Sequence, residues 1–291
     1  MVLSRNRRQS RFVVVAPSSR PAISSHFRNV EVDARRYREL LAEMQRFRGD
    51  VYLSDGAIQR ADLTDGRHQV GIDKHSWHVL SIDSSGRICA CLRYLEVRNA
   101  SGFDDLWVRH AALLQCPRFG NWFRRAVETE MERARQMQIG FGEVGGWAVA
   151  ESHRGTLEPL RIILAAYGLL QLRGGCAGIA TATFRHSSAT ILRRIGLNSL
   201  SWDGAELPPY YDPKYRCDME VLHFDSRFPN QKYRDSVSEL TYALAASPVI
   251  CCGSVKSASQ TVFDGFENPN HAAGAAAGCG VAGRQSVGIA T

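Results

Sequence analysis

The chain has 291 residues, is 44% hydrophobic and 22% charged, and carries a formal net charge of +7. That length and balance suit one large or two small globular domains and exclude a chain too polar to bury a core; no apolar run reaches the ~18 residues of a membrane span. The positive charge favours anionic partners without choosing among nucleic acid, anionic lipid, coenzyme phosphate and an acidic carrier protein.

Residues 1–26 hold Arg5, Arg7, Arg8, Arg11 and Arg20 with no acid among the first twenty, and are expected to form a basic flexible tail. Within them Phe12–Pro17 is too short for the apolar core of an export signal. Val32–Phe47 predicts a helix, because Tyr37, Leu40, Leu41, Met44 and Phe47 recur at helical spacing. Val51–Gly71 is polar and reads as loop. Trp77–Asp83 and Ile88–Val97 are strand-like, and Ser84-Ser85-Gly86 supplies the hairpin turn between them. Arg118–Gln138 is an amphipathic helix with Phe119, Trp122, Phe123, Ala126, Val127, Met131 and Ala134 on one stripe.

Glu143–Val149 then reads as a strand and Arg154–Leu172 as a helix apolar nearly all round, hence buried. Ala177–Thr183 is a strand, and Ser187–Ile195 a helix stopped by Gly196. Cys217–Phe224 is a late strand and Lys232–Ala246 a last helix. From Gly253 the composition shifts, and Ala272–Gly283 has no anchoring aromatics, so 253–291 is expected to be a disordered, low-complexity tail. The expected fold is α/β, or mixed α+β: one domain over 27–252, with a twisted mixed sheet flanked by helices.

The eight cysteines include no Cys-x-x-Cys pair, and no His stands at zinc-finger spacing. They read as reduced buried thiols of a cytoplasmic protein, with no metal site expected. No Walker loop or Gly-x-Ser-x-Gly motif is present, and His75, His78, His153 and His186 are scattered. No helix-turn-helix, zinc finger or RNA-binding aromatic signature supports a basic nucleic-acid binder.

The run Glu143-Val144-Gly145-Gly146-Trp147-Ala148-Val149 resembles the Glu-x-Ser-Arg-Phe-Ala-Val type motif of a branch of the GCN5-related N-acetyltransferase superfamily. That branch holds the acyl-homoserine-lactone synthases and the long-chain N-acyl amino acid synthases. Gly86–Arg93 is similar to its Gly-x-Val-x-Gly-x-x-Arg hairpin, and Arg185–Leu197 to the superfamily's later helix. The likeness runs from about Asp73 to about Phe224. Two departures stand out: Gly146 replaces the motif's Arg, and His153–Glu158 keeps one glycine of the coenzyme-A-binding Arg/Gln-x-x-Gly-x-Gly/Ala turn.

The resemblance implies a GNAT-like fold and an N-acyltransferase. It would move a fatty acyl group from a thioester on carrier-protein phosphopantetheine, or on coenzyme A, to the amine of a small acceptor such as an amino acid. A short-chain acyl-CoA N-acetyltransferase is the alternative, and no permanently bound cofactor is expected. Glu143 is the implied catalytic residue. A carboxylate among apolar neighbours binds its proton more tightly and can serve as a base near neutral pH; the other reading is an edge-strand Glu facing water. Trp147, Ala148 and Val149 would hold the donor's acyl carbonyl, with Gly145-Gly146 allowing close approach or a bulge, or else relieving packing against the Trp122 helix. Arg154, Gly155 and Thr156 would receive its phosphate at a helix start. The acceptor would meet Asp73, Trp77 and Arg93 on the hairpin and Tyr210 and Tyr211 in the Leu207–Tyr215 loop. Arg93 either grips a carboxylate or pairs with Asp73.

Overall fold

The computed structural model describes residues 10–19, 21–97 and 102–257, all within one compact unit. The first half contributes β1 (Arg11–Val15), β2 (Ala22–Ile23), β3 (Asn29–Val32), α1 (Ala34–Ser54), β4 (Trp77–Ile82) and β5 (Ile88–Glu96). Short 3-10 turns at Phe103–Asp105, Trp107–His110 and Ala112–Gln115 lead into α2 (Gly120–Gln136). Next come β6 (Gly140–Val149), α3 (Glu151–Arg154), α4 (Glu158–Leu172), β7 (Cys176–Thr183) and α5 (Ser188–Ile195). Small strands β8 (Asn198–Ser199), β9 (Ser201–Trp202), β10 (Ala205–Glu206) and β11 (Tyr210–Asp212) precede β12 (Cys217–Asp225). The described chain closes with α6 (Arg234–Ala246), β13 (Pro248–Cys251) and β14 (Lys256–Ser257).

Nine of the strands form one path, β11-β12-β7-β6-β5-β4-β1-β13-β3, with β8 attached to β12. The pairs β6–β7, β1–β13 and β13–β3 are parallel, and the other ladders in the path are antiparallel. This is the expected mixed sheet flanked by helices. On one face α4 and α6 bury Leu92, Tyr94 and Ala180. On the other, α1 covers Val13, Leu80 and Cys91, and α2 covers Phe141 and Ile179. The alternation of adjacent residues between these clusters is the two-residue period of a pleated strand. Nearly every residue of α4 is buried, as its all-round apolar sequence predicts.

Three sequence expectations need correction. Residues 11–15 are not tail: β1 lies between β4 and β13 with Phe12–Val15 buried. The apolar run too short for an export signal is the right length for a central strand. Residues 1–9 lie outside the described residues, as do 258–291. Within the expected C-terminal tail, Lys256–Ser257 pairs with β2. The first helix is also longer than its periodicity suggests, continuing through Val51 to Ser54 and ending on Asp55.

Candidate active site

One strand, β6, organises the cleft. Its first half, Gly140–Val144, is laddered to Cys176–Ala180 of β7. Past Val144 that ladder stops, and the free edges of β6 and β7 diverge. On its other side β6 carries a bulge: Cys91 faces Ala148 and Arg93 faces Gly145, so Gly146 and Trp147 together oppose Leu92. Gly146 sits at φ +62°, which glycine adopts without a Cβ penalty. The extra residue also shifts the pleat. Phe141 and Ala148 pack on the α1/α2 face although their numbers differ in parity, while Val144 and Val149 pack on the α4 face.

A cavity of about 550 Å³ fills the divergence. It reaches both faces of the sheet. Ile163, Ile191 and Leu192 line it from α4 and α5, while Tyr52, Trp107 and Tyr210 line it from the other side. A slot through a sheet can bring two substrates together from opposite faces.

Glu143 stands where the ladder ends. It is buried, and both carboxylate oxygens accept backbone N–H groups from the 3-10 strap, Trp107 at 2.6 Å and Val108 at 2.8 Å. Burial raises its pKa above the ordinary carboxylate value, against the lowering pull of those two N–H groups and of Arg93. The reading of Glu143 as an edge residue facing water is therefore wrong. The strap that covers it was unassigned in the sequence, and it lines the cavity with Trp107, Val108, His110, Ala111 and Ala112.

Arg93 lines the same wall and is buried, with its Nε unpartnered among the described residues. Its closest acid is Asp73, at 3.5 Å. Asp73 itself is fully occupied: Arg48 reaches it at 2.7 and 3.0 Å, and Gln45 Nε2 and the Val70 N–H each at 3.0 Å. Those cations hold the Asp73 carboxyl well below the usual carboxylate range despite its burial. Two guanidiniums thus share one carboxylate, and the one with spare donors faces the cavity.

The other expected site residues divide. Trp147, Ala148, Val149, Arg154 and Tyr210 line the cavity with Glu143 and Arg93. Trp147 has a buried Nε1–H without a partner among the described residues, and its carbonyl accepts from Tyr52 Oη at 3.2 Å. Asp73, Trp77, Tyr211, Gly155 and Thr156 are not in the lining. Asp73 is behind Arg48 and Arg93, a structural anion rather than an acceptor contact. Trp77 is core, stacked on Phe27 at 6.1 Å with the Arg173 guanidinium 4.4 Å from its ring. Tyr211 is exposed, since Tyr210–Asp212 is a strand and adjacent side chains point to opposite faces. Thr156 turns its hydroxyl to His153 O and to the Glu158 N–H. At the start of α4 the Glu158 carboxylate already faces Ser10, Ser81 and Arg161, so that helix end is served by the chain's own acid.

Sequence reasoning missed Tyr52, Asp55, Trp107, Arg185 and Tyr215, all of which line the cavity. Tyr52 and Asp55 fall in a stretch read as loop that is the end of α1. Tyr215 meets Tyr52 edge-on, ring centroids 6.4 Å apart. Among the described residues, no cluster of His, Cys, Asp and Glu is placed to hold a metal ion, and no helix is long and apolar enough to cross a membrane.

No protein-family model and no curated protein matches the chain. Solved structures of similar shape include a CoA-dependent acyl-homoserine lactone synthase, BjaI, with MTA, at 11% identity and a TM-score of 0.49, covering 86% of this chain and 95% of that one. FeeM, an N-acyl amino acid synthase from uncultured soil microbes, is similar at 10% identity and a TM-score of 0.43, covering 75% and 92%. Arabidopsis thaliana NAA60 in complex with acetyl-CoA follows at 8% identity and a TM-score of 0.38, covering 65% and 94%. Likenesses of this size concern shape alone.

Proposed function

We propose that this chain is an N-acyltransferase that joins a fatty acyl group, carried as a thioester, to the amine of a small acceptor such as an amino acid. One observation carries the reading: a slot through the sheet between β6 and β7, with the buried Glu143 carboxylate where the two strands part.

The reaction needs an amine without its extra proton, a polarised carbonyl and a thioester held in line. Glu143 takes the ammonium proton. Each of its oxygens accepts one backbone N–H and keeps a lone pair for that proton, directly or through a water. The amine nitrogen then attacks the thioester carbonyl carbon, the C–S bond breaks, and the proton that the attacking nitrogen sheds is taken up by the thiolate, which leaves as the thiol. A β6 backbone N–H at Trp147–Val149, where β7 no longer pairs, faces the developing oxyanion; such a donor is worth about 2.7–4 kcal/mol. Arg93, short of anionic partners, receives the acceptor's carboxylate.

The donor enters at the α4/α5 side, where Arg154 and Arg185 offer charge to a phosphate. Its acyl chain lies along Ile163, Ile179, Ile191, Leu192 and Met219. Each buried CH₂ contributes about 0.8 kcal/mol, so this apolar lining favours a long chain over acetyl. The donor's handle is phosphopantetheine on a carrier protein or coenzyme A.

Mass spectrometry of lipid extracts from cells overproducing the protein tests the reading. A new long-chain acyl amide is expected, and it names donor chain and acceptor together. With purified protein, acetyl-CoA outcompeting long-chain thioesters would replace the proposal by a short-chain acetyltransferase.

A further inference from the structure

The cationic mouth of the slot already holds an anion, and it is the protein's own. Asp55 is the C-cap of α1 and lines the cavity. Its carboxylate is gripped by the Arg154 fork, Oδ1 at 2.8 Å from Nη1 and Oδ2 at 2.9 Å from Nη2. His186 Nε2 lies 3.3 Å from the same Oδ1, and Arg185 Nη1 donates to the Asp55 carbonyl at 2.9 Å. Arg154 is fixed from behind, donating Nε–H to Val149 O at 3.2 Å, and Arg185 Nη2 donates to Arg216 O at 2.9 Å.

A two-point guanidinium fork is the geometry with which arginine takes a carboxylate or a phosphate alike. The two arginines come from different elements, the end of α3 and the start of the 3-10 turn before α5, and they meet on one residue of a third, Arg154 at its carboxylate and Arg185 at its backbone carbonyl. Ordering these side chains costs conformational entropy, and the Arg154 fork, with His186 beside it, is ordered around an anion. In the free protein that anion is Asp55.

We infer that Asp55 is a placeholder anion in the phosphate seat of the donor, and that a phosphopantetheine-bearing thioester binds by displacing it. The inference rests on the acyl-transfer reading above for the identity of the donor, but the seat is defined by Arg154, Arg185 and His186 alone. Asp55 then sets how tightly phosphate-bearing donors bind. It also ties their entry to the last turn of α1, where Tyr52 donates to the Trp147 carbonyl on the bulge. A thioester without a phosphate would slip in without contesting the seat.

Asp55→Asn is the informative variant. Its amide oxygen still accepts from Arg154, so the guanidinium keeps its place while the competing charge goes. The KM for a long-chain acyl-CoA and for the matching acyl-phosphopantetheine should each fall about tenfold, the effect of one like charge discounted for solvent screening. The KM for the same acyl group on N-acetylcysteamine, which has no phosphate, should stay where it is. An unchanged or raised KM for the phosphate-bearing donors, or an equal fall for all three, overturns the inference.

Pyrophosphate binding by calorimetry reads the same seat without turnover: tighter in Asp55→Asn, and no longer tighter when Arg154→Gln is added. If no thioester is turned over by wild type, the acyl-transfer reading fails, while this calorimetry still decides whether Asp55 holds an anion seat. Asp55→Ser, at a backbone conformation open to any residue (φ −77°, ψ −4°), repeats both measurements should the Asn variant fold poorly.

Discussion

Asp73 and Glu143 are two buried carboxylates on either side of the same arginine, and they have opposite characters. Asp73 receives Arg48 through two contacts and Arg93 through one. Its charge is compensated, and its lone pairs are spoken for. Glu143 receives two neutral backbone N–H groups and, among the described residues, no direct cation. Its charge is met by those dipoles and by Arg93 only at longer range, so burial dominates and its proton affinity rises. A carboxylate surrounded by cations is committed to holding the fold. One held only by amides, on the wall of a cavity, stays poised to gain or lose a proton.

The larger effect is expected at Asp73. Asp73→Asn leaves the Arg48 and Arg93 guanidiniums buried against a neutral amide. Removing one partner of a buried pair costs about 3–5 kcal/mol, so the denaturant midpoint should fall steeply. A variant as stable as wild type would show that the cluster is not what holds α1 to the hairpin.

Glu143→Gln should do the reverse: a smaller loss of stability, about 1–3 kcal/mol for the strap N–H left facing the amide NH2, and a large loss of turnover. The Gln oxygen still accepts one strap N–H, and the rate should fall about 10²- to 10⁴-fold, the usual worth of a positioned base. Turnover at the wild-type rate would make Glu143 a strap anchor and nothing more.

Next is the glycine against which Arg93 and Arg48 pack. At Gly146 a Cβ would lie 3.2 Å from Arg93 Cβ and 3.3 Å from Arg48 Nη1, at a positive φ. Gly146→Ala should therefore cost about 1–3 kcal/mol in thermal unfolding. It should also push Arg93 off its line to the cavity and raise the acceptor KM. A neutral substitution would mean that the bulge can flatten without disturbing the arginines.

The sequence showed much of this frame and little of its partnership. The strands of Glu143 and Ala177, and the α4 helix between them, were legible because their apolar runs and glycine stops are local signals. The two adjacent glycines left a close approach, a bulge and packing relief open, and the ladder shows the bulge. Trp77 was misread because β4 is buried on both faces, so its six residues show no alternation to separate core from pocket wall. Arg11–Val15 was lost to its basic surroundings; its partners Val249 and Ile250 lie at the far end of the chain, and such pairing leaves no local trace. The strap over Glu143 binds through backbone N–H groups, which every residue but proline carries, so no residue type announces it. Asp55 was hidden by a helix that outlasts its own periodicity.

The finest test is the pH dependence of these same variants, because the two acids carry opposite signs. Asp73 is depressed by folding. Its stabilisation is complete above the ordinary Asp value of about 3.9 and is lost as pH falls toward the native value. The deficit of Asp73→Asn should therefore shrink below that pH. Glu143 is raised by folding. Its contribution is complete below the ordinary Glu value of about 4.3 and is lost as pH rises through the native one. Relative to wild type, Glu143→Gln should thus gain stability with rising pH across that window, by about 1.4 kcal/mol for each tenfold increase in native proton affinity. Thermal unfolding from acid to neutral pH separates the two slopes. If both differences run the same way, Glu143 is charge-compensated like Asp73, and its place as the proton acceptor is lost with the contrast.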